Sequence, residues 1–218
     1  MTHPLAMVTW PVRTERLLLR RATADDVDAT WRYRRLPEVN EWLGGGTGDY
    51  ASYRERFLEP DRLSAKVVVM LGATVIGDVV VRVEDAWAQE EVAEQARGVQ
   101  AELGWNLDPA YGRRGYATEA VRAVVDLCFG PLGLRRIHAD CFAANEPSWR
   151  LMERLGMRRE MHTVKESLHR TRGWLDGLCY ALLAEEWPGA EGRRRAGGGR
   201  GRSPRRVELS VAGVRMVG

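Results

Sequence analysis

Two glycines and two arginines stand together in Gly112-Arg113-Arg114-Gly115, between a strand-like apolar run and a helix-like run. A loop that opens a helix gathers unpaired backbone N–H groups at the positive end of the helix dipole, which suits a phosphate group. Glycine allows close backbone approach, and arginine supplies positive charge. The segment therefore indicates a phosphate-binding loop. The alternative is an ordinary strand-to-helix turn of the same composition.

The spacing of these glycines does not match the two best-known nucleotide motifs. The sequence contains neither G-x-x-x-x-G-K-[ST] nor G-x-G-x-x-G with an acidic residue about twenty positions later. Nucleoside triphosphates and dinucleotides are therefore disfavoured as ligands.

The residues after the loop have the period of an amphipathic helix. Its apolar stripe has the spacing i, i+3, i+4, i+7, i+8 and i+11 and consists of Ala117, Ala120, Val121, Val124, Val125 and Cys128. Residues 135–142 then read as a strand. A further helix begins at Asn145-Glu146-Pro147-Ser148 and ends at Leu155-Gly156-Met157. The predicted order is strand, glycine loop, helix, strand and helix.

This order, with Asn145-x-x-Ser148 at the start of the last helix and Leu155-Gly156-Met157 at its end, resembles the GNAT acyl-CoA N-acyltransferases. It is similar in particular to the branch of ribosomal-protein N-terminal alanine and serine acetyltransferases. The resemblance spans residues 12–187 and includes Thr14-Glu15-Arg16-Leu17-Leu18-Leu19-Arg20, Pro37-Glu38-Val39, Trp42-Leu43-Gly44 and Glu185-Glu186-Trp187. It implies an α/β (α+β) fold with a mixed, mostly antiparallel sheet of about seven strands, split between strands four and five and flanked by about four helices.

The resemblance also implies acetyl-CoA as a co-substrate. Its pantetheine arm would enter the split, and its diphosphate would lie on the glycine loop. The implied contacts are Trp105, Asn106, Leu107, Gly112, Arg113, Arg114, Gly115, Tyr116, Ala117, Thr118 and Asn145. A β-bulge in strand four would free backbone groups for the ligand. Asn145 also suits the N-cap of its helix without any ligand.

The chain departs from the family pattern at two positions. Gly112 stands where the loop pattern has Gln or Arg, so this side-chain contact to the diphosphate is missing. Met152 stands where many members carry a tyrosine that protonates the departing thiolate, and a thioether has no proton to donate. Another acid, or solvent, must therefore serve.

Amide formation from a thioester needs a neutral amine, a polarised carbonyl and a proton for the leaving thiolate. On the strand at residues 101–107, alternation places Glu102, Gly104 and Asn106 on one face, toward a cleft. Glu102 is therefore the candidate base, directly or through water. The alternative is a structural ion pair with an arginine such as Arg113. The resemblance places a backbone N–H of the same strand, at residue 105 or 106, against the thioester oxygen.

Ser148 is the candidate acid for the leaving thiolate. It shares an i, i+3, i+4, i+7 stripe with Leu151, Met152 and Leu155, which predicts an inward-facing side chain. The alternative is a hydroxyl that bonds back to a carbonyl one turn earlier.

Length and composition fit one domain with appendages. The chain has 218 residues, of which 44% are hydrophobic, and this suffices for a core. Residues 12–187 are the predicted N-acetyltransferase domain. Residues 1–11 have no period and are expected to be a loose arm. Residues 188–218 hold eight Arg and two Glu among many glycines, and they are expected to be a disordered tail.

Cysteine, histidine and hydropathy patterns indicate neither disulfides nor a metal nor a membrane span. Three cysteines without C-x-x-C read as buried thiols of a reducing compartment. Four histidines show no metal-ligand spacing. No apolar run approaches the roughly 20 residues of a membrane span, and no signal peptide is evident. We therefore expect a cytoplasmic protein without a bound metal.

The acceptor is the property that the sequence determines least. The resemblance favours a primary amine, in particular a protein N-terminal α-amine. A small-molecule amine, such as a polyamine or an aminoglycoside, is the alternative, and an acidic cleft would suit such a polycation. A function of another class is an RNA- or ribosome-binding module that acts through the Arg/Gly tail. A monomer and a homodimer are both compatible with the sequence, and the length of the donor acyl group stays open.

Overall fold

β-Branched and leucine-rich runs supply the strands of a central sheet. The structure, a computed structural model, describes residues 3–45 and 48–188. Within these residues the strands are β1 Val12–Arg13, β2 Leu18–Arg21, β3 Lys66–Leu71, β4 Thr74–Glu84, β5 Gln100–Leu107, β6 Arg136–Phe142, β7 Arg158–His169 and β8 Gly173–Leu183. The α-helices are α1 Val27–Arg34, α2 Pro37–Asn40, α3 Tyr50–Leu58, α4 Pro60–Ser64, α5 Tyr116–Phe129 and α6 Glu146–Arg154.

The strand order is β1-β2-β3-β4-β5-β6-β8-β7. Neighbours are antiparallel except β5 and β6, which are parallel because α5 connects them as a crossover. The predicted hairpin at Gly72 is formed by β3 and β4. The mixed, mostly antiparallel sheet is therefore confirmed. The two-residue strand β1 raises the strand count from about seven to eight within the described residues, so the predicted strands four and five are β5 and β6.

Side chains alternate across the central strands and build a core on each face of the sheet. In β3, Val67 and Val69 belong to the larger core, which includes apolar residues of α5 and α6. Val68 belongs to the smaller core, with Tyr33 of α1 and Phe57 of α3. The sheet is thus covered by α5 and α6 on one face and by α1 and α3 on the other.

The residues before β1 pack against the domain. Pro4–Met7 forms a 3₁₀ turn, and Leu5 is completely buried in the larger core. Trp10 Nε1 donates a hydrogen bond to the Leu5 carbonyl at 2.8 Å. The expectation of a loose arm is therefore wrong for residues 3–11.

The predictions for the Arg/Gly tail fall on residues 189–218 and lie outside the described residues. The acidic connection between β4 and β5 forms an exposed 3₁₀ segment, Glu90–Ala96. Among the helices of residues 3–45 and 48–188, none is both long and apolar enough to cross a membrane.

Candidate active site

The parallel strands β5 and β6 separate shortly after they meet. Their pairing begins at Gln100 and Arg136 and ends at Glu102 and His138. Beyond this point β5 continues along β4, and β6 continues along β8, with no further pairing of β5 to β6 in the described part of the chain. The two strands form a V whose apex is the pair of Glu102 and His138. The predicted split is therefore confirmed.

The open edge of β5 arises from this divergence and not from a bulge. The register between β4 and β5 is continuous from Gly77 opposite Leu107 to Glu84 opposite Gln100. The expected β-bulge is therefore wrong for this pair. Backbone groups at residues 103–107 that point away from β4 face the split, where the amides of a ligand can satisfy them.

The glycine loop opens α5 at one end of the split. Gly115 is the N-cap residue of α5 and has a φ of 80°, a left-handed conformation that residues with side chains rarely adopt. Arg113 is also left-handed, with a φ of 59°, which is uncommon outside glycine and indicates a constrained turn. Amides in the first turn of α5 have no acceptor within the helix. This end of the helix can therefore receive an anion.

Arg16 and Glu119 fix the loop from outside. The Glu119 carboxylate accepts hydrogen bonds from Thr14 Oγ1 at 2.5 Å, from the Arg16 backbone N–H at 2.9 Å and from Arg16 Nε at 2.6 Å. Arg16 Nη1 donates to the Arg114 carbonyl at 2.9 Å, and its guanidinium lies 4.6 Å from the centre of the Tyr116 ring. Burial raises the pKa of Glu119, but the hydrogen bonds from Thr14 and Arg16 outweigh it and lower the pKa. Sequence reasoning missed this contact between Arg16 and Glu119 because the two residues are 103 positions apart.

A cleft of about 2390 Å³ joins the loop, the split and the helices α2, α3 and α4. Ten of the eleven predicted cofactor residues line it: Trp105, Asn106, Leu107, Gly112, Arg113, Gly115, Tyr116, Ala117, Thr118 and Asn145. Arg114 is the exception, because its side chain is exposed and its contribution is the carbonyl that bonds Arg16. Glu102 and Ser148 line the same cleft. The structure thus brings the two candidate catalytic residues and the predicted loop together.

Glu102 lies at the apex of the V with 31% of its side chain exposed. Its Oε2 atom accepts a hydrogen bond at 2.7 Å from Nη1 of Arg82, the residue opposite it on β4. An ion pair is therefore present, but its arginine is Arg82 and not Arg113. Gly104, next on the same face, has open space where a Cβ would lie. The carboxylate is partly exposed beside room for a small reacting group.

Ser148 lies in the first turn of α6, half-buried and facing the cleft. A hydrogen bond joins its side chain to the thiol of Cys141 on β6, and burial raises the pKa of that thiol to about 11. The partner of the hydroxyl is therefore a side chain of the sheet and not a carbonyl of its own helix. This contact holds the serine at the open side of the split.

Two further predictions for α6 concern Asn145, at its start, and Met152, within it. Asn145 is the N-cap of α6 through its backbone, because its carbonyl accepts the Ser148 N–H at 3.1 Å. Its side chain makes no capping hydrogen bond within the described residues, so the prediction of a side-chain cap is wrong. Met152 is completely buried in the larger core. The position where many members of the resembling family carry a tyrosine therefore supplies no proton here.

A buried charge cluster forms the wall of the cleft on the α1 side. The carboxylate of Asp78, on β4, accepts hydrogen bonds from the Tyr33 hydroxyl at 2.7 Å and from Arg34 Nη2 at 2.8 Å, and it lies 3.6 Å from Lys66 Nζ. Burial raises the pKa of Asp78, but Arg34, Lys66 and the Tyr33 hydrogen bond outweigh it and lower the pKa to about 2. Asn106 of β5 donates to the same carboxylate at 3.5 Å. The cluster therefore ties α1, β3, β4 and β5 together four residues along β5 from Glu102.

The tip of the β7–β8 hairpin reaches the segment after α2. His169 is buried there, and a hydrogen bond of 2.9 Å joins its Nε2 to the carbonyl of Glu41. Arg172 forms an ion pair with the carboxylate of Glu41. The ring of Trp42 packs against His169 and Phe142, with centroid distances of 5.4 and 6.0 Å. This contact, which the sequence did not predict, borders the cleft through Trp42.

Charged side chains along the cleft are more often basic than acidic. Nine arginines and lysines and five aspartates and glutamates line it among the described residues. The basic ones are Arg34, Arg56, Arg62, Lys66, Arg82, Arg97, Arg113, Arg150 and Arg154, and the acidic ones are Glu38, Asp61, Asp85, Glu102 and Asp140. The cleft is therefore not the acidic one that a polycationic acceptor would suit.

A sheet split meets the glycine loop in one cleft, with the Glu102 carboxylate at the apex of the split, which is the arrangement that the resemblance to acyl-CoA N-acyltransferases implies. Comparison with known proteins leads to the same class. A family model described as an acetyltransferase (GNAT) domain matches residues 16–158. YnaD of Bacillus subtilis (strain 168), an uncharacterized N-acetyltransferase, is 33% identical over 183 residues, which are 81% of this chain and 98% of YnaD.

Solved structures show the same fold. A GNAT-family acetyltransferase from Bacillus anthracis is 30% identical, with a TM-score of 0.68 over 81% of this chain and 100% of that one. The ribosomal-protein-S5-alanine acetyltransferase of Vibrio fischeri is 19% identical, with a TM-score of 0.66 over 83% of this chain and 100% of that one. The chain belongs to the GNAT family of N-acetyltransferases.

Proposed function

We propose that this N-acetyltransferase moves an acetyl group from acetyl-CoA to a primary amine by direct attack in a ternary complex, and that the amine is a protein N-terminal α-amine. The observation that carries the proposal is the V between β5 and β6, which has Glu102 at its apex and meets the glycine loop in one cleft. Acetyl-CoA, when bound, supplies the activated thioester.

The residues of the loop fit the diphosphate of coenzyme A. The left-handed Gly115 brings first-turn amides of α5 to the cleft without a Cβ in the way. Arg113 and Arg150 line the cleft near this end and add positive charge. The unpaired edge of β5 suits the amides of the pantetheine arm, and the open space at Gly104 gives room for the acetyl end.

Three groups of this chain would then act at the apex. Glu102 accepts the proton of the acceptor ammonium, directly or through a water, so that the amine can attack. The backbone N–H of Trp105, which points away from β4, donates to the thioester oxygen as negative charge develops there, whereas that of Asn106 points to β4. Ser148 relays the second proton of the attacking nitrogen to the departing thiolate, so that the hydroxyl is restored, which is the role that Met152 cannot fill.

The balance of charge along the cleft supports an acceptor with one amine over a polycation. Four further carboxylates, those of Asp78, Glu59, Glu94 and Glu146, pair with lining arginines and Lys66 from just outside the lining, so the cleft has no acidic excess that would attract a polyamine or an aminoglycoside. A peptide presents a single α-amine on an extended chain, and Trp42, Phe57 and Glu102 line the same cleft. The likeness to a ribosomal-protein-S5-alanine acetyltransferase agrees with this choice.

An acceptor panel tests the proposal. Release of free coenzyme A thiol from acetyl-CoA is measured with short peptides that begin with alanine or serine, with the same peptides blocked at the N-terminus, with spermidine and with an aminoglycoside. We expect release with the free peptides alone, and mass spectrometry should place the acetyl group on the α-amine. Turnover of spermidine or of the aminoglycoside in preference to the peptides would contradict the choice of acceptor.

Gly115→Val tests the cofactor loop. A valine there is strained at a φ of 80° and brings a Cβ to 3.3 Å from Arg16 Nη2, so binding of acetyl-CoA measured by calorimetry should be lost. Gly133→Val is the matched control, because Gly133 has a φ of 63° and open space around it but lies outside the cleft. Normal binding by the Gly115 variant would contradict the assignment, as would equal loss in both variants.

We also propose a cytoplasmic location. The proposed co-substrate, acetyl-CoA, is a small molecule of the cell interior. The three cysteines are all free thiols, which agrees with a reducing compartment.

A further inference from the structure

His138, Asp140 and Cys179 meet on one face of the sheet. His138 and Asp140 are two positions apart on β6 and so share a face, and Cys179 of β8 is directly opposite Asp140. One nitrogen of the histidine, one oxygen of the aspartate and the sulfur of the cysteine all lie within 4.8 Å of one another. The sequence showed no ligand spacing because the cysteine comes from a strand far along the chain.

Glu84 fixes the orientation of the histidine ring. His138 Nε2 lies 2.8 Å from Glu84 Oε1, and a carboxylate only accepts hydrogen bonds, so Nε2 carries the proton. In the neutral ring the lone pair is then on Nδ1, which faces Asp140 Oδ2 at 3.8 Å. That distance is too long for a hydrogen bond. A carboxylate behind one ring nitrogen and a free lone pair on the other is the arrangement found at metal-bound histidines.

We propose that His138, Asp140 and Cys179 bind a zinc ion, with a fourth coordination position open to the cleft. Nitrogen, oxygen and sulfur together are the donor set of zinc. Ligand atoms around tetrahedral zinc lie about 3.4 to 3.6 Å apart, so small side-chain rotations suffice. Asp140 lines the cleft and has 56% of its side chain exposed, which gives the ion a path of entry.

Zinc binding at this site releases a proton, because a cysteine binds zinc as the thiolate and the thiol proton must leave to the buffer.

Titration of the full chain with Co²⁺, followed by displacement with Zn²⁺, tests the site. Cobalt bound by a cysteine gives a thiolate-to-metal charge-transfer band, and we expect one equivalent of Co²⁺ to produce it and Zn²⁺ to abolish it. The same titration with Cys179→Ser should show no such band. Glu84→Ala, which leaves the ligands in place, should weaken Co²⁺ binding about ten- to a hundredfold.

Cys141→Ser is the matched control, because Cys141 is also a free thiol of β6 but bonds Ser148 instead. Its charge-transfer band should equal that of the unaltered chain. The proposal is overturned if the unaltered chain shows no band, or if the band survives in Cys179→Ser. Loss of the band in Cys141→Ser with retention in Cys179→Ser would likewise overturn it.

Discussion

At the scale of single residues, the partner of Glu102 decides how its role can be tested. Its ion pair with Arg82 is partly exposed, with side-chain exposures of 31% and 60%. Such a pair contributes about 1 kcal/mol at most, so its loss alone changes a rate by less than about fivefold. A base that removes the amine proton contributes about 10²-fold or more. The two roles therefore predict effects of different size.

We expect Glu102→Gln to lower kcat/KM for the amine about 10²-fold while binding of acetyl-CoA stays unchanged. Arg82→Gln, which removes the ion pair but keeps the carboxylate, should lower kcat/KM for the amine by less than about fivefold. Steady-state thiol release and calorimetry with both variants provide the measurement. Equal effects of the two substitutions would show that the ion pair alone matters and that Glu102 is not the base.

Ser148 makes a second prediction at this scale. Ser148→Ala should lower kcat by about 10²-fold, because the leaving thiolate loses its proton donor, and should leave acetyl-CoA affinity unchanged. Ser148→Thr keeps the hydroxyl and should restore much of the rate. Cys141→Ala, which removes the hydrogen-bonding partner of Ser148, should lower kcat less than Ser148→Ala does. An unaltered kcat in Ser148→Ala would remove Ser148 from the mechanism.

At the scale of elements, the Asp78 cluster couples α1 to three strands and should govern stability in acid. The folded-state pKa of Asp78 is lowered to about 2 from its ordinary value of 3.8. A lowered pKa contributes stability above the unfolded value, and this contribution is lost as the pH falls through the folded value. Because 1 pKa unit corresponds to about 1.4 kcal/mol, roughly 2 kcal/mol should disappear between about pH 5 and pH 2.

Urea unfolding at several pH values measures this loss. Asp78→Asn should be less stable at neutral pH by about 3 to 5 kcal/mol, because Arg34 and Lys66 remain buried without their counter-ion. Other carboxylates with lowered pKa, such as Asp26 and Glu119, titrate in both proteins. The difference in the free energy of unfolding between the unaltered chain and Asp78→Asn, followed against pH, therefore isolates Asp78. This difference should narrow by about 2 kcal/mol on acidification. A constant difference would contradict the assignment.

The elements of the active site were largely predictable, and the contacts between them were not. The period of α5 and the alternation in β5 depend on neighbouring residues, so the glycine loop and the face of Glu102 could be read from the sequence, whereas the split was implied by the family resemblance. The brace of Arg16 on Glu119 and the cluster of Asp78 join residues far apart in the chain. Their charged members stand singly in apolar or loop segments, and no local pattern marks their partners.

The errors in the sequence-based predictions have a common physical cause. Asn145 has the residue type of a side-chain cap, but its side chain makes no capping bond in the described structure. Residues 3–11 lack a period, yet Leu5 is completely buried because the sheet offers an apolar surface to it. In both cases tertiary surroundings override a local preference.

At the scale of the whole molecule, two contacts between distant segments support different parts of the cleft lining. Arg16 and Glu119 join the start of the chain to the glycine loop. The tip of the β7–β8 hairpin joins the segment after α2, where Arg170 Nη2 donates to the carbonyl of Leu43 at 2.6 Å. Binding of the acetyl donor and binding of the amine should therefore depend on different contacts.

The last prediction concerns the hairpin tip. Arg170→Ala and Arg172→Ala remove its bonds to the segment after α2, where Trp42 and Leu43 line the cleft. We expect each to raise KM for the peptide amine severalfold, because the wall of the acceptor end loses its support, with kcat for saturating peptide nearly retained. Binding of acetyl-CoA should not change.

Arg159→Ala, also on the β7–β8 hairpin but at its far end, is the matched control. It should leave kcat and KM for the peptide unaltered. The hairpin tip would be excluded as part of the acceptor site if Arg170→Ala and Arg172→Ala weakened acetyl-CoA binding as much as they raised KM for the peptide. A general loosening of the sheet would produce that result, because it would reach the glycine loop through β5 and β6 as well.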